Sequence, residues 1–266
     1  MNNWNKQIAN MLADGTVALV IGYEEGSTPQ KTRPLFCHDA VAAERLVMDG
    51  RCTHNLAVYL TKKELLPAEG RIGVVATVNV LKSALQLMQE NQIPEGRFLL
   101  MAVGPEGKLT ELPDAESLRQ YIAAHPLPDN PEVVALIEKI DAMSREERWA
   151  YWQECLSKCV KCYACRAACP LCYCTRCIVE DNRPQWILPW ASTLPNIEWQ
   201  INRVMHMAGR CTGCGACYAA CPLHLPIHLL TKKLTQEINR EFGTERPAKG
   251  NVLSTFSPDD KENFIH

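Results

Sequence analysis

The sequence predicts two architectures in series: an α/β front domain with a small parallel sheet and helices, then a mainly α-helical domain. Three observations carry this. Short apolar runs ended by glycine or proline alternate with stretches of helical spacing over roughly the first half, as strand–helix–strand layers do. Cysteine is unevenly spread: 12 of the 14 lie at 155–221, and only Cys37 and Cys52 precede them. Helical segments lie before, between and after the cysteine groups. The expected boundaries are 1–130 for the α/β domain, 131–245 for the helical domain and 246–266 for a polar tail.

In the front domain, Val-Ala-Leu-Val-Ile at 17–21 is an apolar run closed by Gly22, the signal of a buried strand. Residues 33–37 form a weaker strand. Asp39 can cap a helix to residue 48, stopped by Asp49-Gly50. Residues 56–60 and 72–76 read as strands. Helical spacing runs over 80–90 through Leu81, Leu85 and Met88, and 98–103 is again strand-like. A proline-punctuated connector at 113–131 holds one short helix, 115–124.

The back domain opens on an amphipathic helix over 132–156, which delivers the chain to Cys159. Residues 170–210 form a long insert with Trp186 and Trp190, then helical character over 194–207. A further helix begins near Leu225. The stretch 246–266 is polar, holds proline and glycine, and is expected to be disordered or ordered only on a partner.

The cysteines fall into two copies of one pattern. The first is Cys159-x2-Cys162-x2-Cys165-x3-Cys169-Pro170, and the second is Cys211-x2-Cys214-x2-Cys217-x3-Cys221-Pro222. This is the run that holds two cubane clusters in bacterial ferredoxins, three thiolates curling around one cluster and the fourth reaching the other. The expected ligand sets are therefore crossed: Cys159, Cys162 and Cys165 with Cys221, and Cys211, Cys214 and Cys217 with Cys169. Proline suits the position after the fourth cysteine because a helix start does not need its N–H. With clusters carried between helices, the domain at 131–245 is expected to be an α-helical ferredoxin with two 4Fe–4S clusters. Zinc sites usually use isolated C-x2-C pairs. Disulfides suit a secreted chain, and Met1-Asn2-Asn3-Trp4 opens no apolar signal stretch, so a reducing cytoplasm is the expected location.

Composition narrows the function classes. A formal net charge of −2 with 22% charged residues gives no electrostatic case for nucleic acid or an anionic membrane. No apolar run approaches the roughly 20 residues of a membrane helix. No G-x-G-x-x-G occurs, so a dinucleotide loop of that type is not expected. No nucleophile–base arrangement stands out.

Eight cysteines fill two clusters, which leaves Cys172, Cys174 and Cys177 just beyond Cys169-Pro170. One reading is small buried side chains near the clusters. The other is a third metal site, a 4Fe–4S cluster or zinc, with Cys52 or Cys155 as fourth ligand. Lys161, Arg166 and Arg210 flank the runs and are expected to be solvated charges. Trp186, Trp190 and Trp199 serve either an interface or the core. His206, His224 and His228 are not expected to be ligands.

The residues that follow Cys159, Val-Lys-Cys-Tyr-Ala-Cys-Arg-Ala-Ala-Cys-Pro-Leu-Cys-Tyr-Cys-Thr-Arg-Cys, with Arg183-Pro-Gln-Trp186, resemble the beta subunit of deazaflavin-dependent formate dehydrogenases and hydrogenases. His206-Met-Ala-Gly-Arg-Cys-Thr-Gly-Cys-Gly-Ala-Cys with Cys221-Pro222 is similar to the second run of those proteins and to the C subunit of heterodisulfide reductases. The front resembles them loosely, through Asn55-Leu-Ala-Val-Tyr-Leu60, Gly73-Val-Val-Ala76 and Asn91-Gln-Ile. The resemblance implies an electron-transfer subunit of a redox complex, beside heterodisulfide-reductase-like, formate dehydrogenase-like or hydrogenase-like partners. It departs where flavin-binding members are longer in front and carry a Gly-Cys-Asp-like turn. Here Thr77-Val-Asn-Val80 stands instead.

The expected function is thus a cytosolic iron–sulfur subunit that passes single electrons between partner centres and transforms no substrate alone. The alternative is an FAD-containing oxidoreductase that itself exchanges hydride with a carrier. A cluster-bearing sensor or scaffold is a third reading.

Overall fold

The computed structural model describes residues 2–177 and 179–242. The chain divides into two compact units, one ending at Pro126 and the next beginning at Leu127. The expected tail at 246–266 lies outside the described residues.

The first unit is a small α/β layer. Helix α1 (Asn3–Ala13) leads into β1 (Leu19–Glu25) and β2 (Thr32–Cys37), followed by the short α2 (Ala40–Ala43). Single 3-10 turns at Leu56–Tyr59 and Lys63–Leu65 precede β3 (Ile72–Val75), α3 (Val78–Gln89), β4 (Phe98–Val103), β5 (Leu109–Leu112) and α4 (Ala115–Ala124). The sheet order is β2-β1-β3-β4-β5. The three central strands are parallel, with Leu19 opposite Ile72 and Ile72 opposite Phe98. Both edges are antiparallel, so the sheet is mixed rather than wholly parallel.

The reason lies in the connections. A parallel crossover needs a dozen or more residues. The link 26–31 between β1 and β2 closes as a hairpin, with Gly26 N–H donating to Lys31 O at 2.9 Å. The link 104–108 does the same between β4 and β5, through Gly104 N–H and Lys108 O at 2.9 Å.

The core strands bury completely: β3 and nearly all of β1 and β4 show no exposed side chain. Helix α1 packs Trp4 and Ile8 against this sheet with Val20, Leu99 and Met101. Gly73 sits where both neighbouring strands press in; a Cβ there would lie 2.8 Å from Met101 Cε and 3.0 Å from Val20 Cγ2. Thr77 caps α3 by accepting from Val80 N–H. The helix expected over 39–48 shrinks to Ala40–Ala43, and residues 56–60, read as a strand, form a 3-10 turn capped by Asn55. That apolar run is short enough for either state, and Asn55 decides it by accepting from Ala57 N–H at 3.1 Å.

The second unit is helical. Helices α5 (Pro131–Asp141) and α6 (Arg145–Ser157) replace the single helix expected over 132–156. Ser144 and Glu147 form a capping box that starts α6 afresh. After the first cysteine run come the short α7 (Ala164–Ala167), then α8 (Thr193–His206), the short α9 (Ala216–Ala219) and α10 (Ile227–Phe242). Ile137 and Ile140 of α5 pack on Leu229 of α10, and Lys233 Nζ pairs with Asp141 at 2.7 Å. Among the described residues no helix is long and apolar enough to cross a membrane.

Candidate metal centres

The two cysteine runs fold as copies of one turn, 52 positions apart. In the first, Lys161 and Tyr163 take left-handed backbone angles, with φ of 49° and 58°. In the second, Gly213 and Gly215 stand at the matching places with φ of 73° and 72°. The same hydrogen bonds follow: Arg166 N–H to Tyr163 O and Tyr218 N–H to Gly215 O, both at 3.0 Å. Each run then enters a one-turn helix, and α7 and α9 pack against each other. Left-handed turns of this kind aim successive backbone N–H groups inward, as anion-holding nests do. Lys161 N–H points at Cys159 Sγ at 3.4 Å, and Leu225 N–H at Cys221 Sγ at 3.4 Å.

A narrow cavity of about 20 Å³ is lined by Cys159, Cys162, Cys165 and Cys221. Three of these sulfurs come from the first run and one from the second. Trp199, Gln200, Leu225 and Ile227 complete much of the wall. Cys159, Cys165 and Cys221 are buried, whereas Cys162 is exposed. Gln200 Nε2 donates towards Cys159 Sγ at 3.6 Å, and Tyr163 packs edge-on against Trp199 at 5.2 Å.

The second group is Cys211, Cys214, Cys217 and Cys169. Burial pushes the Cys211 thiol up, and Cys169 and Cys214 add to the shift. Burial pushes Cys217 up to about 12, with Arg203 opposing and Cys169, Cys211 and Cys214 reinforcing. Burial likewise raises Cys165, where the reinforcing neighbours are Cys159 and Cys221. Each thiol thus feels the fourth cysteine of the other run. Unpaired sulfurs in such surroundings stay protonated at neutral pH, and a metal that takes them as thiolates must displace those protons. Met207 Sδ lies 3.9 Å from Cys169 Sγ.

Helix α8 explains the long insert. Its inward face carries a series of polar side chains that bond to the first cysteine run. Asn196 Nδ2 donates to Cys159 O at 2.7 Å and Ser157 O at 3.2 Å, closing the end of α6. One turn on is Gln200, and Arg203 Nη2 donates to Cys165 O at 2.9 Å. Just beyond the helix, Arg210 Nη2 donates to Leu171 O at 2.9 Å. Asn196, Gln200 and Arg203 were missed as site residues in the sequence. Their spacing puts them on one face, but polar residues on an amphipathic helix ordinarily mark its wet side.

Several expectations change. Lys161 and Arg210 are buried, not solvated. Lys161 Nζ donates to Leu188 O, and Arg210 also lies over the Tyr173 ring at 5.1 Å. Arg166 pairs with Glu180. Trp199 is core, while Trp186 and Trp190 are exposed.

Cys172 lies beside Cys169, whose hydrogen bond holds its thiol below the usual range. Cys174 is exposed, and Cys177 packs against the apolar group around Cys159 and Cys165. Cys155 sits on α6 beside Tyr151. Cys52 belongs to the first unit, where its sulfur accepts from Asp49 N–H at 3.5 Å. Among the described residues no three His, Cys, Asp or Glu side chains converge to hold a single metal ion. Four thiolates on one zinc must lie within roughly 4 Å of each other. A cubane spreads its thiolates over four irons, so the two larger groups answer to a looser geometry.

The family model described as a 4Fe-4S binding domain matches residues 204–224, the stretch that contains Cys211, Cys214, Cys217 and Cys221. The beta subunit of the F420-dependent formate dehydrogenase of Methanocaldococcus jannaschii is 33% identical over 95 residues. That match covers 34% of this chain and 24% of the relative, about a quarter of its length. The chain therefore carries a 4Fe–4S binding domain and is similar over a third of its length to a subunit of an oxidoreductase.

Proposed function

We propose that this chain is an iron–sulfur electron-transfer subunit of a multi-subunit oxidoreductase, with two 4Fe–4S clusters held by crossed ligand sets. Cys159, Cys162, Cys165 and Cys221 hold one; Cys211, Cys214, Cys217 and Cys169 hold the other. The observation that carries this is the cavity walled by three sulfurs of one run and one of the next. The N–H groups that point at Cys159 Sγ and Cys221 Sγ, the Nε2 of Gln200 towards Cys159 Sγ and the unpartnered Nε of Arg203 are donors that fit sites holding sulfur-rich anions. Such clusters take up and release one electron at a time and offer substrate no reacting group.

The chain's own residues fix the thiolates, exclude water through Trp199, Leu225 and Ile227, and direct N–H dipoles at the sulfurs. Partners of formate dehydrogenase, hydrogenase or heterodisulfide reductase type would supply the chemistry. A reducing cytoplasm, which keeps cysteines available as cluster ligands, is the proposed location.

Anaerobically purified chain should carry about eight iron and eight sulfide. In electron paramagnetic resonance, Cys221→Ser should damage the cluster of Cys159, Cys162 and Cys165, and Cys169→Ser the other. Iron near half that value, or each substitution disturbing only its own run's cluster, would sink the assignment. A purified chain that turns over formate, hydrogen or nicotinamide alone would favour the flavoenzyme.

A further inference from the structure

Arg203 bonds to the backbone of Cys165 on α7, and α7 packs against α9, which carries Cys217 of the other set. Arg203 is 4% exposed, and Nη2 spends one donor on Cys165 O at 2.9 Å. Its Nε and Nη1 are buried with no hydrogen-bond partner among the described residues. An arginine does not shed its proton, so the charge must be met where it stands. Burial works against that charge, while Cys172, Cys169, Cys165 and Cys217 favour it. Cys165 belongs to one crossed set, and Cys169 and Cys217 to the other. Taking a guanidinium out of water is costly unless opposite charge compensates it. The leading groups that favour the charge are sulfurs of both sets, which carry negative charge once they are cluster thiolates.

We propose that Arg203 serves both cysteine sets at once, as the buried positive charge that sets the reduction potentials of the clusters they hold. This rests on the two-cluster reading above. A cluster held by four thiolates is negative before reduction and more negative after it. One electron arrives from a one-electron reductant, and no bond or proton changes place. A fixed cation close to both sites favours the reduced form of each, because potential follows net charge and hydrogen bonding around the sulfurs. The neighbours of Arg203 do not share this position: Gln200 serves the first set alone, at Cys159 and Cys165, and Met207, just past α8, lies against Cys169.

The test uses the full chain, loaded anaerobically, with iron and sulfide counted before each titration. Redox titration followed by electron paramagnetic resonance compares wild type, Arg203→Met and Arg203→Lys. Arg203→Met should move both midpoint potentials to more negative values, and Arg203→Lys, which keeps the charge, should move them less. A fully loaded Arg203→Met with both potentials unchanged, or with only one moved, overturns the proposal. If Arg203→Met does not load, Arg203→Lys decides: full loading with near-wild-type potentials supports the charge role. Failure of both to load makes Arg203 a folding residue and overturns it as well. Wild type holding fewer than two clusters would instead overturn the two-cluster reading.

Discussion

Asn196 Nδ2 donates to the carbonyl of Cys159 at 2.7 Å, across 37 positions of sequence. The bond ties α8 to the first residue of the first cysteine run. The same amide reaches Ser157 O, so one side chain closes the end of α6 and locates the turn. Asn196→Ala should leave one buried acceptor, Cys159 O, and one part-buried acceptor, Ser157 O, unmet and cost about 1–3 kcal/mol in urea unfolding. Asn202→Ala is the control, since that amide bonds only within its own helix, to Glu198 O at 2.8 Å. It should change stability by no more than about 0.5 kcal/mol. Equal losses in both variants would refute the special role of Asn196.

Gly213 and Gly215 carry left-handed φ angles, and an added Cβ at either would meet nothing within 4 Å. Any penalty is therefore conformational. Gly213→Ala and Gly215→Ala should each cost about 1–2 kcal/mol. Gly50→Ala, equally open but without positive φ, should be neutral or slightly stabilising. Chemical denaturation of the three variants checks this, and the prediction fails if Gly50→Ala costs as much as the other two.

Cys172, Cys174 and Cys177 have three different surroundings, so the triple serine variant should keep its iron and sulfide unchanged. Elemental analysis settles the point. Loss of a zinc, or of iron beyond two clusters, would restore a third site.

Trp186 and Trp190 are 55% and 63% exposed, unlike the buried Trp199. Large exposed aromatics of this kind often anchor subunit interfaces. The double variant Trp186→Ser, Trp190→Ser should keep its iron content and unfolding midpoint yet lose copurifying oxidoreductase subunits. Undiminished copurification would place the interface elsewhere.

The strand at 98–103, the helix at 115–124 and the cysteine repeat were legible because each is local: an apolar run, a capped stretch, a fixed spacing. The break before α6 was missed, although Ser144-x-x-Glu147 is a start signal inside an otherwise continuous pattern. Strand direction at the sheet edges was also missed, because it follows from the short links at 26–31 and 104–108, which periodicity ignores. The burial of Lys161, Arg203 and Arg210 was not readable. Nothing local separates a charged residue facing water from one facing a wall of sulfurs; the placement of α8 against both runs decides it.

The cavity's shared wall has a consequence for biosynthesis. As the chain emerges, Cys159, Cys162 and Cys165 appear early, but Cys221 closes their cavity only after α8 and the second run have been made. With the crossed ligand sets proposed above, neither cluster site can be finished, or lost, without the other run. On that reading a chain cut anywhere in 170–210 forfeits both sites together, so the stretch from Cys159 to Cys221 matures as one unit.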